Sequence, residues 1–188
     1  MRAALRQATA ELHAVVDRMM PLARPAPSLS DYRSHLDLLL SWTRTLPRHP
    51  AVVGRLDAQE AVLMADLAAC ERLSAADPQR RAAWPQRAGL AADGQVDAAY
   101  AWGMAYVIEG SHLGGQVLYR ALAEPLAPHP LDYLRGSGRD TGARWTAFLG
   151  ELRSEVRTEP QIRNACRGAI DAFELLIACR RGLAENAA

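Results

Sequence analysis

His13 and, far along the chain, the run Gly110-Ser111-His112-Leu113-Gly114-Gly115-Gln116 hold the residue types that bear on chemistry. Turning each residue by about 100° along a helix puts Arg2, Arg6, Thr9, His13, Val16 and Met20 on one stripe. That stripe is the edge of an apolar face, where a core meets a cavity or solvent. A neutral imidazole ligates iron well, and a guanidinium on the same line pairs with a carboxylate of whatever holds the iron. A half-buried histidine bonded to a backbone carbonyl is the plainer reading of His13 alone. On the second segment the same turning aligns Gly103, Val107, Gly110, Ser111, Gly114 and Leu118, with Gly115 at the edge and His112 projecting away. Each glycine inside a helix costs about 0.8–1 kcal/mol relative to alanine. Such a helix either packs tightly on a neighbour, bends, or lets its backbone approach something flat. A shallow groove carrying one small hydroxyl, Ser111, opposite the His13 stripe would accept a planar macrocycle.

The elements that must position these residues are helices. Period-two alternation is nearly absent, and helical spacing recurs throughout. The first helix is expected over Arg2–Met20, with Leu5, Ala8, Leu12, Val15, Val16 and Met19 inward, stopped by Pro21. A Pro-rich loop covers 21–29. Ser30 is the expected cap of a second helix reaching Leu46, broken by Pro47 and Pro50. A third is expected over Asp57–Leu73. Ser74–Gly94 is Ala-, Arg- and Pro-rich, with short helical pieces at best, and its Arg80-Arg81, Trp84 and Arg87 form either a partner-binding patch or a solvated loop. The glycine-bearing helix spans Ala98–Leu122 and ends before Pro125. A short helix at Leu131–Leu134 and two longer ones at Ala143–Val156 and Pro160–Leu183 complete an all-α, single-domain helical bundle over 1–188.

Composition narrows the function. The chain has 188 residues, enough for one substantial core, and a net charge of +1, which argues against nucleic acid or an anionic membrane as partner. All 22 basic residues are arginine. No apolar run approaches the ~20 residues a membrane span needs, and the N-terminus lacks the features of a secretory signal, so a cytoplasmic setting is expected. Cys70, Cys166 and Cys179 have no metal-ligand spacing and read as reduced thiols, with Cys70 the one placed for reactivity near a helix end. His35, His49 and His129 stand singly beside polar or Pro-rich sequence and are expected in solvent. Glu109 and His112 form an E-x-x-H, but a di-iron bundle needs a second, and the chain has none.

The segment Leu5-Arg6-Gln7-Ala8-Thr9-Ala10-Glu11-Leu12-His13 resembles the proximal-helix motif of heme oxygenases, and Tyr106-Val107-Ile108-Glu109-Gly110-Ser111-His112-Leu113-Gly114-Gly115-Gln116 resembles their distal helix, particularly the bacterial form. Tyr133-Leu134-Arg135-Gly136, Trp145-Thr146-Ala147-Phe148-Leu149 and Ala169-Ile170-Asp171-Ala172-Phe173 are similar to later family helices. The resemblance implies heme sandwiched between an N-terminal proximal helix and a glycine-rich distal helix. It implies His13 as the iron ligand and Arg6 at a heme propionate. Thr9, Val107, Gly110, Gly114 and Phe173 would line the heme, and Gly110, Ser111, Gly114 and Gly115 would form the distal wall where dioxygen is directed. Heme would then be both cofactor and substrate, opened with dioxygen to biliverdin, carbon monoxide and ferrous iron. Electrons would come from an external donor, a reductase or ferredoxin, and a phytochrome is a further partner as bilin acceptor. Ser111 stands where many members carry aspartate, so proton delivery would need a different network. No basic residue occupies Thr146 to Gly150, leaving Arg135, Arg139, Arg144 or Arg153 as further propionate partners. A heme carrier or sensor that does not turn heme over would use the same histidine and groove.

Overall fold

Proline and capping residues set the limits of the elements. The computed structural model describes residues 1–73 and 96–185, and the patch of Arg80, Arg81, Trp84 and Arg87 lies outside them. Among the described residues every regular element is helical. The helices are α1 (Arg2–Met19), α2 (Leu29–Thr45), α3 (Val53–Leu73), α4 (Ala98–Leu122), α5 (Asp132–Arg135), α6 (Thr141–Glu155) and α7 (Glu159–Glu185). Single 3-10 turns occur at Pro21–Ala23 and Gly138–Asp140.

The starts of α2 and α3 differ from the sequence expectation, and α6 begins two residues early, at Thr141. The cap of α2 is Ser28 rather than Ser30. Its hydroxyl accepts from the Asp31 N–H at 3.2 Å while the Asp31 carboxylate accepts from the Ser28 N–H at 2.9 Å, a reciprocal capping box. The Ser28 donors, with Arg24 adding to them, hold the Asp31 carboxyl below its ordinary range. Helix α3 begins at Val53 rather than Asp57, because the turn after Pro50 feeds straight into it. His49 Nδ1 accepts from the Ala51 N–H at 3.1 Å, and the Val53 N–H already bonds the His49 carbonyl at 2.9 Å. Helix α4 starts at Ala98, capped by the Asp97 carboxylate on the Tyr100 N–H at 2.8 Å.

Helix α7 is the element the others share: α1, α2 and α4 all pack on it. The α4–α7 contact is set by glycine. A Cβ at Gly103 would fall inside the Ala165 carbonyl, and one at Gly168 would fall inside the Tyr100 carbonyl, so the backbones meet directly. Buried Ala99, Ala165, Ala169 and Ala172 extend this small-residue seam. Trp42 of α2 donates its indole N–H to the Ala172 carbonyl at 2.8 Å, and Arg180 donates to the Met19 carbonyl at 3.1 Å, fixing the end of α1 to α7. Leu5, Leu36, Leu38, Leu56, Leu63 and Leu134 are essentially inaccessible. Each contributes roughly 1.5–3 kcal/mol through burial. Helices α5 and α6 pack on α4 and form the far side of the bundle.

Candidate functional site

His13 stands on the solvent side of α1, its side chain 65% exposed. Its Nδ1 lies 3.0 Å from the Asp17 carboxylate one turn on. A carboxylate requires the proton on Nδ1, which leaves the lone pair of Nε2 free to act as a ligand. The imidazole centroid is 5.8 Å from that of Phe173 on α7, so two residues expected in one pocket are brought together. Asp17 was not singled out from the sequence, although its spacing four residues after His13 was a legible signal. Arg2 and Arg6 are exposed and, with Ala3, Gln7 and Ala10, border an open groove of about 400 Å³. Both arginines act on Tyr106 of α4: burial raises its phenol, and the two charges partly offset that rise. Thr9 departs from the expectation. It is buried, and its hydroxyl donates to the Leu5 carbonyl at 2.9 Å, because the stripe leans into the helix packing at this turn.

The glycines of α4 divide into two sets. A Cβ at Gly114 would meet nothing within 4 Å, and one at Gly110 would come no closer than 3.9 Å to the Trp145 ring. Gly114 opens onto free space, and Gly110 has room for a methyl beside the Trp145 ring. Gly115 was expected in the same wall, but it is buried with a Cβ position 3.3 Å from the Leu134 carbonyl, so it serves the close approach of α5. Gly103 likewise serves packing. Val107, expected to line the ligand, is 6% exposed and sits in the core. Trp145 flanks Gly110 and packs against Tyr106 and Phe148, with centroids 5.4 and 5.6 Å away, giving that position an aromatic neighbour. Neither Tyr106 nor Trp145 was assigned a role from the sequence.

Glu109 explains why the E-x-x-H is not a metal site. Its carboxylate is 2% exposed and taken up by Arg144, at 3.0 and 3.1 Å, and by Arg55, at 3.3 Å. The Arg55 guanidinium also lies over the Trp102 and Phe148 rings, 5.4 and 5.2 Å from their centroids. Among the described residues no group of three or more His, Cys, Asp or Glu side chains is placed to hold a metal. Of the arginines considered for further anion contacts, Arg144 is committed to Glu109 and Arg135 pairs with Asp132. Arg139 borders a second groove, of about 570 Å³, with Leu113, Val117 and Arg120, and Arg153 is exposed on α6.

Two histidines expected in solvent are buried instead. His129 Nδ1 accepts from the Leu131 N–H at 3.0 Å, and its Nε2 faces the Asp66 carbonyl at 3.1 Å and Cys70 Sγ at 3.3 Å. This clamp supports Leu131 in the left-handed region, φ 53°. Burial pushes the Cys70 thiol up to about 12, so it is an inert core residue rather than a reactive one. His35 is 5% exposed, and burial lowers its imidazole to about 4. His112 is half-buried, its ring 5.9 Å from that of Tyr133, with burial lowering its basicity. Among the described residues no helix is long and apolar enough to cross a membrane.

No family model matches the chain. Over 80 residues it is 36% identical to a protein of Xanthomonas campestris pv. campestris (strain 8004) named heme oxygenase. The match covers 42% of this chain and 48% of that protein, so it spans about half the relative's length.

Proposed function

We propose, from the membership of the heme oxygenase family that this likeness supports, that the chain is a single-domain heme oxygenase that opens heme to biliverdin, carbon monoxide and ferrous iron. The observation that carries the reading is an exposed imidazole on α1, held by Asp17 at Nδ1 and lying beside Phe173; an α4 face whose Gly110 and Gly114 have room for a Cβ supports it. These residues fit a flat, anionic, iron-bearing ligand. His13 Nε2 supplies the nitrogen donor, Phe173 limits the tilt of its ring, and Arg2 and Arg6 supply permanent positive charge for carboxylates. Gly110 and Gly114 would leave room for the ligand beside the α4 backbone, and Trp145 with Tyr106 would offer it an apolar flank. Bound heme supplies the iron at which dioxygen is activated and is itself the ring that is opened. Ser111, beside Gly110, carries a hydroxyl but no charge, so it positions protons without being their reservoir. Electrons come from an external donor, a reductase or ferredoxin in class.

Hemin titration of the purified protein, followed by a reductant under air with catalase, tests the reading. Loss of the Soret band with growth of a biliverdin band is the expected result. A Soret band that survives would assign a carrier or sensor, and no Soret shift would remove heme from the account. His13→Ala abolishes the histidine-ligated spectrum. Because His13 is exposed, the same change leaves unfolding within about 0.5 kcal/mol of the parent. A variant that keeps its heme spectrum refutes the ligand assignment.

A further inference from the structure

Tyr106, Gly110 and Gly114 form one row along α4 at four-residue spacing, and the row changes character along its length. Tyr106 packs on the Trp145 ring of α6, with centroids 5.4 Å apart. At Gly110 the atoms nearest a Cβ position are Cη2 and Cζ3 of the same indole, at 3.9 and 4.0 Å, so the outer edge of that ring ends there. At Gly114 nothing lies within 4 Å. The row is bounded at one end and open at the other. The residues beside this contact fix it. Glu109 precedes Gly110 on α4, and Arg144 precedes Trp145 on α6. The Arg144 fork donates to both oxygens of the buried Glu109 carboxylate, from Nε at 3.0 Å and from Nη2 at 3.1 Å. A two-point bond of this kind sets direction as well as distance. Arg55 of α3 holds the same carboxylate at 3.3 Å and also pairs with Glu151 of α6. Its guanidinium lies over the Phe148 ring, and that ring stacks on Trp145 with centroids 5.6 Å apart.

We infer that Trp145 is a specificity-determining residue, an in-plane stop for a flat ligand at the Gly110 end of the row, and that Glu109 is its positioning residue through Arg144. This role rests on the heme oxygenase reading and deepens it. A disc gripped at its centre by one nitrogen, His13 Nε2, is free to turn in its own plane. Arg2 and Arg6 are exposed, and ion pairs made by long side chains in water restrain such a turn weakly. An indole packed between Tyr106 and Phe148 yields much less, because close-packed rings transmit a push rather than absorb it. Groups on the rim of the disc find room beside Gly114 and meet the indole beside Gly110, which selects among the ways the disc can be seated.

Glu109→Gln keeps the shape of the side chain and removes its charge and one acceptor oxygen. In the protein without heme, labelled with 5-fluorotryptophan, this change should move the fluorine resonance of Trp145, assigned with Trp145→Phe. The resonance of Trp42 on α2 should stay in place, which a general loosening of the fold would not allow. With hemin bound and cyanide added, the heme methyl resonances in proton NMR count the seatings. Trp145→Leu, and Trp145→Phe as the milder change, should each shift the ratio of seatings by about 10-fold, the low end of what a methylene-sized change in a pocket selects. Glu109→Gln should shift the ratio in the same direction and add nothing in a protein that already carries Trp145→Leu. A ratio unmoved in both Trp145 variants overturns the inference. A ratio moved by Trp145→Leu but not by Glu109→Gln, or moved by the two independently, overturns the positioning role of Glu109. Failure of the parent protein to bind hemin overturns the functional reading and this inference with it, whereas normal binding with unmoved seatings overturns the inference alone.

Discussion

Gly114→Ala should make the protein without heme more stable and at the same time spoil its grip on heme. A Cβ at Gly114 meets nothing within 4 Å, and the position is exposed, so the new methyl neither clashes nor buries area. What remains is backbone entropy, worth about 0.8–1 kcal/mol in favour of alanine. Gly110→Ala adds a similar amount, since the nearest atoms, on the Trp145 ring, are 3.9 Å away, an ordinary contact. The double variant should therefore gain about 2 kcal/mol. For a chain of this size that raises the melting temperature by roughly 4–8 °C. Gly103→Ala on the same helix is the control. Its propensity gain is identical, but its Cβ would sit inside the Ala165 carbonyl, and overpacking of this kind costs about 1–3 kcal/mol or more. Thermal and urea unfolding followed by circular dichroism reads the stabilities, and hemin titration reads the binding. A fall in melting temperature for Gly114→Ala would refute the assignment of that position to open space. A rise with unaltered hemin affinity and turnover would show that the open glycines serve no ligand.

Glu109→Ala removes the carboxylate that Arg55 and Arg144 share, but Arg55 keeps Glu151 and Arg144 stays partly in water, so the cost should be about 1–3 kcal/mol; a urea midpoint matching the parent would contradict it. Trp42→Phe removes the indole bond to the Ala172 carbonyl, which keeps its own helical partner, and should cost about 0.5–1.5 kcal/mol by the same assay. For His35 the folded value of about 4 lies below the ordinary 6.5, so its contribution is complete above pH 6.5 and is lost as the pH falls towards 4. The loss amounts to about 3 kcal/mol, and His35→Gln should remove that part of the acid sensitivity. An equal fall in stability between pH 7 and 4.5 in parent and variant would refute it.

Much of the scaffold was legible in the sequence because its limits are local chemistry. Pro21 and Asp97 mark the ends that bound α1 and α4, and the apolar spacing between them is strong. The Ser28 cap was also local: Ser28 and Asp31 have capping-box spacing, a better signal than the lone Ser30. The candidate site was only half legible. His13, Arg6 and Phe173 emerge from helix periodicity and family resemblance, and the structure places His13 beside Phe173. Which glycine of α4 is open and which is packed depends on what crosses the helix, and α5 and α7 arrive from distant sequence. The burial of Glu109 depends in the same way on Arg55 and Arg144, and that of His35 on Tyr133 and the α2–α3 pair. Polar sequence neighbours suggested solvent for His35 and His129, but neighbours in sequence say little when residues far along the chain, Tyr133 for His35 and Tyr32, Asp66 and Cys70 for His129, close over the position.

The shared seat of α1 and α4 on α7 makes the placement of one against the other a difference of two independent registrations on one rod. On one side direct backbone contact at Gly103 and Gly168 leaves no slack, so the α4 wall is a fixed datum. On the other, α1 is seated by side chains and by the Arg180 bond to the Met19 carbonyl, which can be retuned one residue at a time. A methyl group added at Gly168 meets the Tyr100 carbonyl and touches neither His13 nor Gly114, yet it lifts one wall relative to the other. Substitutions at the α4–α7 backbone contact thus shift α4 against α1 without touching His13, Phe173 or Gly114.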